Sequence, residues 1–300
     1  VSTGSPEEAV LRRAVGRAAR APSVHDSQPW RWHVGADGAD LFADPRPGAA
    51  EDERDVLLSC GVVLHHLLVA LAGLGSSARV ERFPDPGRPD HLARVRPVAA
   101  PPSSGAARLA GVIAERRTDR RRFSSRPPDA AALDVLVRTA ASWGAHLHVV
   151  GPGDARRRLV ELMGRATPLS RQQADYAAAL AHHTGGTAVV APRDPHSVDH
   201  VDASVLTVLS ALADDRLHVL RAGEATSAVL LTATDLGLAT TPLSRPLAAD
   251  RTRASIASQV LRLRSSPELV LRVGLPHPLS PALPLTPRRS SRSPDEPAPG

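Results

Sequence analysis

The chain has 300 residues, with 37 basic against 31 acidic side chains, a net charge of +6 and an isoelectric point near 11.0. Every basic residue other than histidine is arginine, and Lys and Asn are absent, as GC-rich coding produces, so the charge excess alone does not demand an acidic partner. The 42% hydrophobic share is enough to bury the core of one large domain or two modest ones; 2% aromatic content makes that core Leu, Val and Ala, and a single cysteine, Cys60, excludes internal disulfides and Cys-cluster metal sites.

Val1 to Glu8 lacks a basic start followed by an apolar run, so no secretory signal is expected and the chain reads as cytoplasmic. Residues 7–20 carry early Glu and later Arg, which complements a helix dipole, and that helix should stop near Pro22. Pro29 to Val34 leads into a strand, followed by a Gly-rich turn at 35–38 and a short strand at Leu41-Phe42, a hairpin pattern. Asp52 to Gly75 is a long helix. Its apolar stretch, Val56 to Gly75, is interrupted by His65-His66 and reads as a buried helix, not a bilayer span. A strand is expected at Ala78–Phe83 and a short one at Ala93–Val95. Helices follow at Ala107–Arg116 and Ala130–Ser142, with the arginine-rich turn Arg117–Pro128 between them, then a strand at His146–Val150. Residues 155–181 read as helix, His182–Ser204 as loop, Val205–Leu212 as strand, Arg221–Gly237 as a long helix and Glu268–Gly274 as a last strand. Residues 291–300 read as a disordered tail.

Gly61–Gly75 (GVVLHHLLVALAGLG) and Gly223–Gly237 (GEATSAVLLTATDLG) align with Leu68 on Leu230, Leu74 on Leu236 and Gly75 on Gly237. Both are apolar helices that end in Leu-Gly. The match suggests two related αβ halves with these helices buried at the centre.

Ala21 to Trp32 (APSVHDSQPWRW) packs short polar side chains between two prolines, after a helix and before a strand. It admits two readings: a loop presenting polar groups to a ligand, or a capped turn with Trp30 and Trp32 as core anchors. Residues 116–126 hold six arginines, and Pro287-Arg288-Arg289 holds two more. Such runs bind a phosphate dianion through bidentate, charge-assisted bonds, or simply form a solvated face. No nucleic-acid motif accompanies them, and few aromatics are available to stack on bases. Cys60 reads as a small buried hydrophobe. His65-His66 and His182-His183 lack metal-ligand spacing, so no metal is expected.

In order and spacing, APSVHDSQPWRW, LSCGVVLHHLLVALAGLG, RRTDRRRF, AGEATSAVLLTATDLGLATTPLS and LRVG…PRR resemble the nitroreductase-like FMN flavoproteins, Acg-type branch, over about residues 7–290. The resemblance implies an α+β fold around a central antiparallel sheet with surrounding helices. It also implies a typical dimer fused into one chain, a monomeric pseudo-dimer: an N-terminal half at 7–104 and a C-terminal half at 105–290, with a lid near 155–204. It implies FMN as cofactor, NAD(P)H as electron donor and a small-molecule substrate, with no nucleic acid or membrane as partner. Arg117 and Arg121 match the family's phosphate-binding arginine and the basic residue that follows it, and Arg288 and Arg289 its C-terminal basic pair. Pro22, Ser23, Val24 and Asp26 match the segment lining the flavin ring, with Asp26 in place of the family's Asn. Thr241, Pro242, Leu243, Ser244 and Arg245 match the loop whose backbone approaches the flavin N5 and O4 edge. The catalytic group is then the flavin itself, with His25 a candidate hydrogen-bond donor. The acceptor would be a nitroaromatic or a quinone. A flavin-sequestering stress protein with little turnover and a biosynthetic flavin dehydrogenase are the alternatives.

Overall fold

The computed structural model describes residues 6–45, 52–166, 202–278 and 283. Contacts divide the chain into two compact units. Unit 1 comprises Val1–Arg116, Asp215–Leu231 and Thr286–Gly300, and unit 2 comprises Arg117–Asp214 and Thr232–Leu285. These units and the sequence halves 7–104 and 105–290 are different divisions, because residues 215–231 count with the first unit.

In unit 1, helix α1 (Pro6–Ala18) precedes the hairpin β1 (Trp30–Gly35) and β2 (Gly38–Ala43). Helix α2 (Glu53–Ala72), strands β3 (Ser77–Arg82) and β4 (His91–Val98) and helix α3 (Ser104–Val112) follow. The Asp52 carboxylate caps α2 by accepting from Asp55 N at 2.8 Å. Helices α1 and α2 pack on one face of the sheet, over Val34, Ala39, Leu41, Ala93 and Val95. Helix α2 is long and apolar enough to cross a membrane, yet 89% of that stretch is buried inside the protein.

Unit 2 carries α4 (Ala130–Ser142), β5 (Ala145–Val150), α5 (Asp154–Ala166) and β6 (Val205–Ala211). Beyond α6 (Arg216–Asp235), most of which counts with unit 1, come β7 (Ala239–Leu243), α7 (Asp250–Ser255), a π-helical turn (Ile256–Leu261) and β8 (Ser266–Gly274). One core joins Leu159, Leu162 and Met163 of α5 to Ile256 and Val260 and to Leu206, Val208 and Val270 of the sheet.

The single central sheet expected from the resemblance is replaced by two four-stranded antiparallel sheets, ordered β1-β2-β4-β3 and β5-β6-β8-β7. The reason is that β4 and β8 each pair inside their own half, with β2 and β6 respectively. The two orders are the same, and in each sheet the long helix lies between the second and third strands in sequence. The aligned positions of the two long helices keep the same offset through the helix end. Gly75 and Gly237 both take left-handed backbone, at φ 81° and 71°. Ser76 N donates to Leu71 O at 3.0 Å, and its counterpart Leu238 N donates to Ala233 O at 2.8 Å, the six-to-one closure of a glycine-terminated helix.

Within unit 1, α2 and α6 cross where their repeat-equivalent glycines meet. A Cβ on Gly61 would lie 2.0 Å from Leu220 O, and one on Gly223 would lie 2.2 Å from Leu58 O; each would be 2.8 Å from the other glycine's Cα. The contact is reciprocal, as contacts about a two-fold axis are. One turn along, the equivalent pair His65 and Ser227 meets: Ser227 Oγ lies 2.6 Å from His65 Nδ1 and 2.7 Å from His66 Nδ1. His66 Nδ1 is also 3.0 Å from Val62 O, so it serves as donor and the Ser227 hydroxyl donates to His65. Complete burial pushes the His65 imidazole down to a pKa of about 3. At the same crossing, the Arg82 fork donates to Glu224 at 2.7 and 2.5 Å.

Boundaries moved elsewhere. The 107–116 helix is Ser104–Val112, opened by a Ser103 cap; the short 93–95 strand is the eight-residue β4; α6 begins five residues before Arg221. Of the 155–181 helix, α5 ends at Ala166, and residues 167–201 and the tail from 284 lie outside the described residues.

Candidate functional site

In unit 1 the Pro22–Gln28 run forms a tight turn with unusual backbone. His25 and Asp26 both have φ 54° and Gln28 has φ 52°, so three non-glycine residues out of four are left-handed. Each is a conformation that costs of order 1 kcal/mol or more and is held by its surroundings, typically at ligand sites. Helix α2 holds this one: Ser59 Oγ accepts from Val24 N at 3.1 Å, and the Cys60 thiol donates to Pro29 O at 3.4 Å. Ser23 Oγ accepts from Gln28 N at 2.9 Å, and the Ser27 hydroxyl donates to Val24 O at 2.8 Å. Val24 and Gln28 are buried, whereas His25 and Asp26 face outward. The run is thus a stapled turn with His25 and Asp26 displayed, and Trp30 and Trp32, expected as core anchors in one reading, are only half-buried.

In unit 2 the arginine-rich run is an irregular segment pinned to the edge of the sheet. Thr118 bridges Thr240, Asp119 N donates to Thr240 O at 2.9 Å, and the Thr241 hydroxyl donates to Asp119 O. The Asp119 carboxylate accepts from Arg121 N at 3.0 Å and from its guanidinium at 2.9 and 2.8 Å. Burial would raise the Asp119 pKa, but the hydrogen bonds and charge of Arg121, aided by Arg272, outweigh it and hold the carboxyl below its usual range. The base of the segment is a buried pair: Arg272 Nη2 donates to Asp202 Oδ2 at 3.0 Å, with both side chains 5% exposed. Asp202 also accepts from Phe123 N at 3.1 Å and Ser204 N at 2.9 Å, while Arg272 stacks 3.8 Å over the Phe123 ring and donates to Arg121 O. Every lone pair of the buried carboxylate that these groups use is thus satisfied by a charge or a backbone N–H, the condition for such a pair to persist.

Arg117 is half-buried, and its Nε donates to Leu283 O at 3.4 Å. Arg121 is committed to Asp119 through Nε and Nη2. Thr241, Pro242 and Leu243 correct the loop expectation: they form the second half of edge strand β7, because Thr241 pairs with Arg272 and Leu243 with Val270. Ser244 follows the strand, and Arg245 opens a short 3-10 turn. Arg288 and Arg289 lie outside the described residues.

Residues 113–275, more than half of the chain, match the model of the nitroreductase family. A Mycobacterium tuberculosis H37Rv protein provisionally named an NAD(P)H nitroreductase is 35% identical over 96% of this chain and 92% of its own. The same organism's acg protein, named in the same provisional way, is 35% identical over 93% of each chain. This chain belongs to the nitroreductase family. A solved nitroreductase with bound FMN from Bacteroides fragilis covers 62% of this nitroreductase-family chain and 97% of its own, at 14% identity and a TM-score of 0.44.

The residues that residue-type reasoning missed in this nitroreductase are the ones that hold the segments in place: Ser59, Asp119, Asp202, Thr240 and Arg272. Asp119 had a local signal, two residues before an arginine it can clasp. Asp202 and Arg272 had none, since they lie 79 and 149 positions beyond Phe123 and meet only through sheet pairing.

Proposed function

We propose that this protein is an FMN-dependent oxidoreductase that draws reducing equivalents from NAD(P)H and passes them to an organic acceptor of nitroaromatic or quinone type. The observation that carries the reading is the pinned Thr118–Phe123 segment of unit 2 in a chain of nitroreductase membership. A phosphate monoester dianion is held best by guanidinium forks whose positions are fixed before binding, and the Asp119, Asp202 and Arg272 contacts fix this segment. Arg117, at its entrance, is the residue assigned to the phosphate. Arg121 has a second duty, to neutralise Asp119 and so keep a carboxylate from repelling the dianion. The backbone of Thr241–Arg245 is assigned to the ring edge, and the turn carrying Pro22, Ser23, Val24 and Asp26 to ring contacts.

When bound, FMN supplies the two-electron chemistry, accepting a hydride from the nicotinamide and returning electrons to the acceptor. The chain's own residues supply binding and orientation. The strained His25-Asp26 turn displays one hydrogen-bond donor and one carboxylate, and a carboxylate near the flavin disfavours an anionic reduced form and lowers the potential relative to an amide. The constant offset between α2 with its cap and α6 with its cap, and the reciprocal Gly61–Gly223 contact, support reading the chain as a duplicated pair fused in one polypeptide and acting as a monomer.

Purified protein reconstituted with FMN should be yellow and bind one flavin per chain. Arg117→Ala should weaken binding by about 2 kcal/mol, as loss of a charged partner does, while the exposed helix variant Arg12→Ala leaves it unchanged. Protein that stays colourless after reconstitution, or equal affinities for the two variants, would overturn the assignment.

A further inference from the structure

The face of the first sheet turned away from α1 and α2 lines a groove of about 660 Å³, a size that accommodates a small-molecule ligand. One face of the second sheet is covered by α5 and the 256–261 turn over Leu206, Val208 and Val270. This face of the first sheet, in contrast, presents Arg31, His33, Asp40, Phe42, His91 and Arg94, with Arg88 reaching in from the β3–β4 loop. The register puts Arg31 opposite Phe42, His33 opposite Asp40 and Asp40 opposite Arg94, all on one side of the pleat.

The floor of the groove is internally neutralised. Asp40 Oδ1 accepts from Arg94 Nε at 2.7 Å and lies 2.8 Å from His91 Nε2, and the His91 ring stacks on Phe42 with centroids 4.5 Å apart. The walls are not. The guanidinium carbons of Arg31 and Arg88 sit 4.7 and 4.9 Å from the centroid of that one phenyl ring. Two like charges are thus drawn to a single aromatic ring, and the ion pair described for either head is the one between Arg88 and Asp90, 3.8 Å apart with both side chains about half exposed. Asp85, also at the rim, is turned to its own loop and accepts from Gly87 N at 2.9 Å. A guanidinium over a phenyl ring keeps its N–H edge available, and two such edges across one groove match the oxygens of a dianion.

We propose that this groove is a binding site for a small phosphomonoester, whose dianion is gripped by Arg31 and Arg88 above the Asp40–Arg94–His91 floor. The site lies wholly in unit 1 and does not depend on the flavin assignment. Its test is calorimetric titration of the full chain, carrying one equivalent of FMN with free FMN removed, using adenosine 5′-monophosphate, inorganic phosphate and adenosine. Saturable binding of the monophosphate tighter than about 1 mM is expected, with weaker binding of inorganic phosphate and none of adenosine. Arg31→Ala and Arg88→Ala should each weaken it about tenfold or more, Arg31→Lys less so, with far-UV circular dichroism unchanged because both side chains are exposed. Arg117→Ala should leave it unaltered. No saturable binding, equal binding of adenosine, or loss on Arg117→Ala with retention in Arg31→Ala would each overturn the proposal; the last would place the anion at the unit 2 segment instead.

Discussion

Gly61→Ala tests the helix crossing on which unit 1 is built. The added methyl would stand 2.0 Å from Leu220 O, 2.8 Å from Gly223 Cα and 2.9 Å from Glu224 N. All three are backbone atoms, so no rotamer change relieves them, and the helices must part by more than an ångström locally. A gap of 0.5–1 Å already forfeits about a quarter to half of a contact's dispersion energy, and overpacking alone costs about 1–3 kcal/mol. Helix propensity returns about 1 kcal/mol for Gly→Ala. A net loss of roughly 1–2 kcal/mol is expected, a fall in Tm on the order of 2–8 °C for a unit of this size. Gly16 supplies the control: it lies on the exposed face of α1 with nothing within 4 Å of its would-be Cβ, so Gly16→Ala should raise stability by about 0.5–1 kcal/mol. Gly223→Ala should match Gly61→Ala, and the double variant should lose less than the sum, because one separation relieves both clashes. Thermal and urea unfolding of the four variants reads this directly. An unchanged or raised Tm for Gly61→Ala would refute the crossing.

Asp202→Ala should destabilise the protein by about 3–5 kcal/mol, because it strands the buried Arg272 charge, and should weaken FMN binding without removing a phosphate ligand; Asp202→Asn, which keeps the shape, should lose less of both. Unchanged FMN affinity in a folded Asp202→Ala would show that the segment needs no clamp. His65, neutral in the folded protein, contributes stability that is fully present above about pH 6.5. Below that the unfolded chain takes up the proton first, so stability should fall by about 1.4 kcal/mol per pH unit from this group until roughly pH 3. His65→Gln should flatten that part of the urea-midpoint profile, and an unaltered slope would mean another group titrates there. Asp26→Asn should raise the reduction potential of bound flavin; an unchanged potential would place the carboxylate away from the ring or show it neutralised.

Periodicity was a sufficient guide where local and tertiary forces agree. Helix Ala130–Ser142 occurs with the boundaries read from sequence, and Glu53–Ala72 falls inside its expected span, because an all-round apolar helix has no competing state once a core exists. It failed at β7, whose ATTPL sequence is short and contains Pro242. A proline there is tolerated because β7 is an edge strand, a fact that sequence does not display. It also failed at 250–261, where Arg and Ser obscure the few apolar residues, Ile256 and Val260, that pack on α5. The arginine run announced itself by charge density. What makes that run a fixed surface, the Asp202–Arg272 pair, depends on strands brought together from 70 positions apart and leaves no local mark.

Electron transfer through a bound flavin is the function proposed for this nitroreductase-family chain. It is tested most directly by mixing FMN-loaded protein with NADPH, and separately with NADH, under anaerobic conditions while the visible flavin absorption is followed. Rapid bleaching with at least one nicotinamide, reversed when a quinone or nitroaromatic is added, is the predicted result. A flavin that remains yellow with both donors would contradict the claim and assign the chain to holding flavin, not to turning it over.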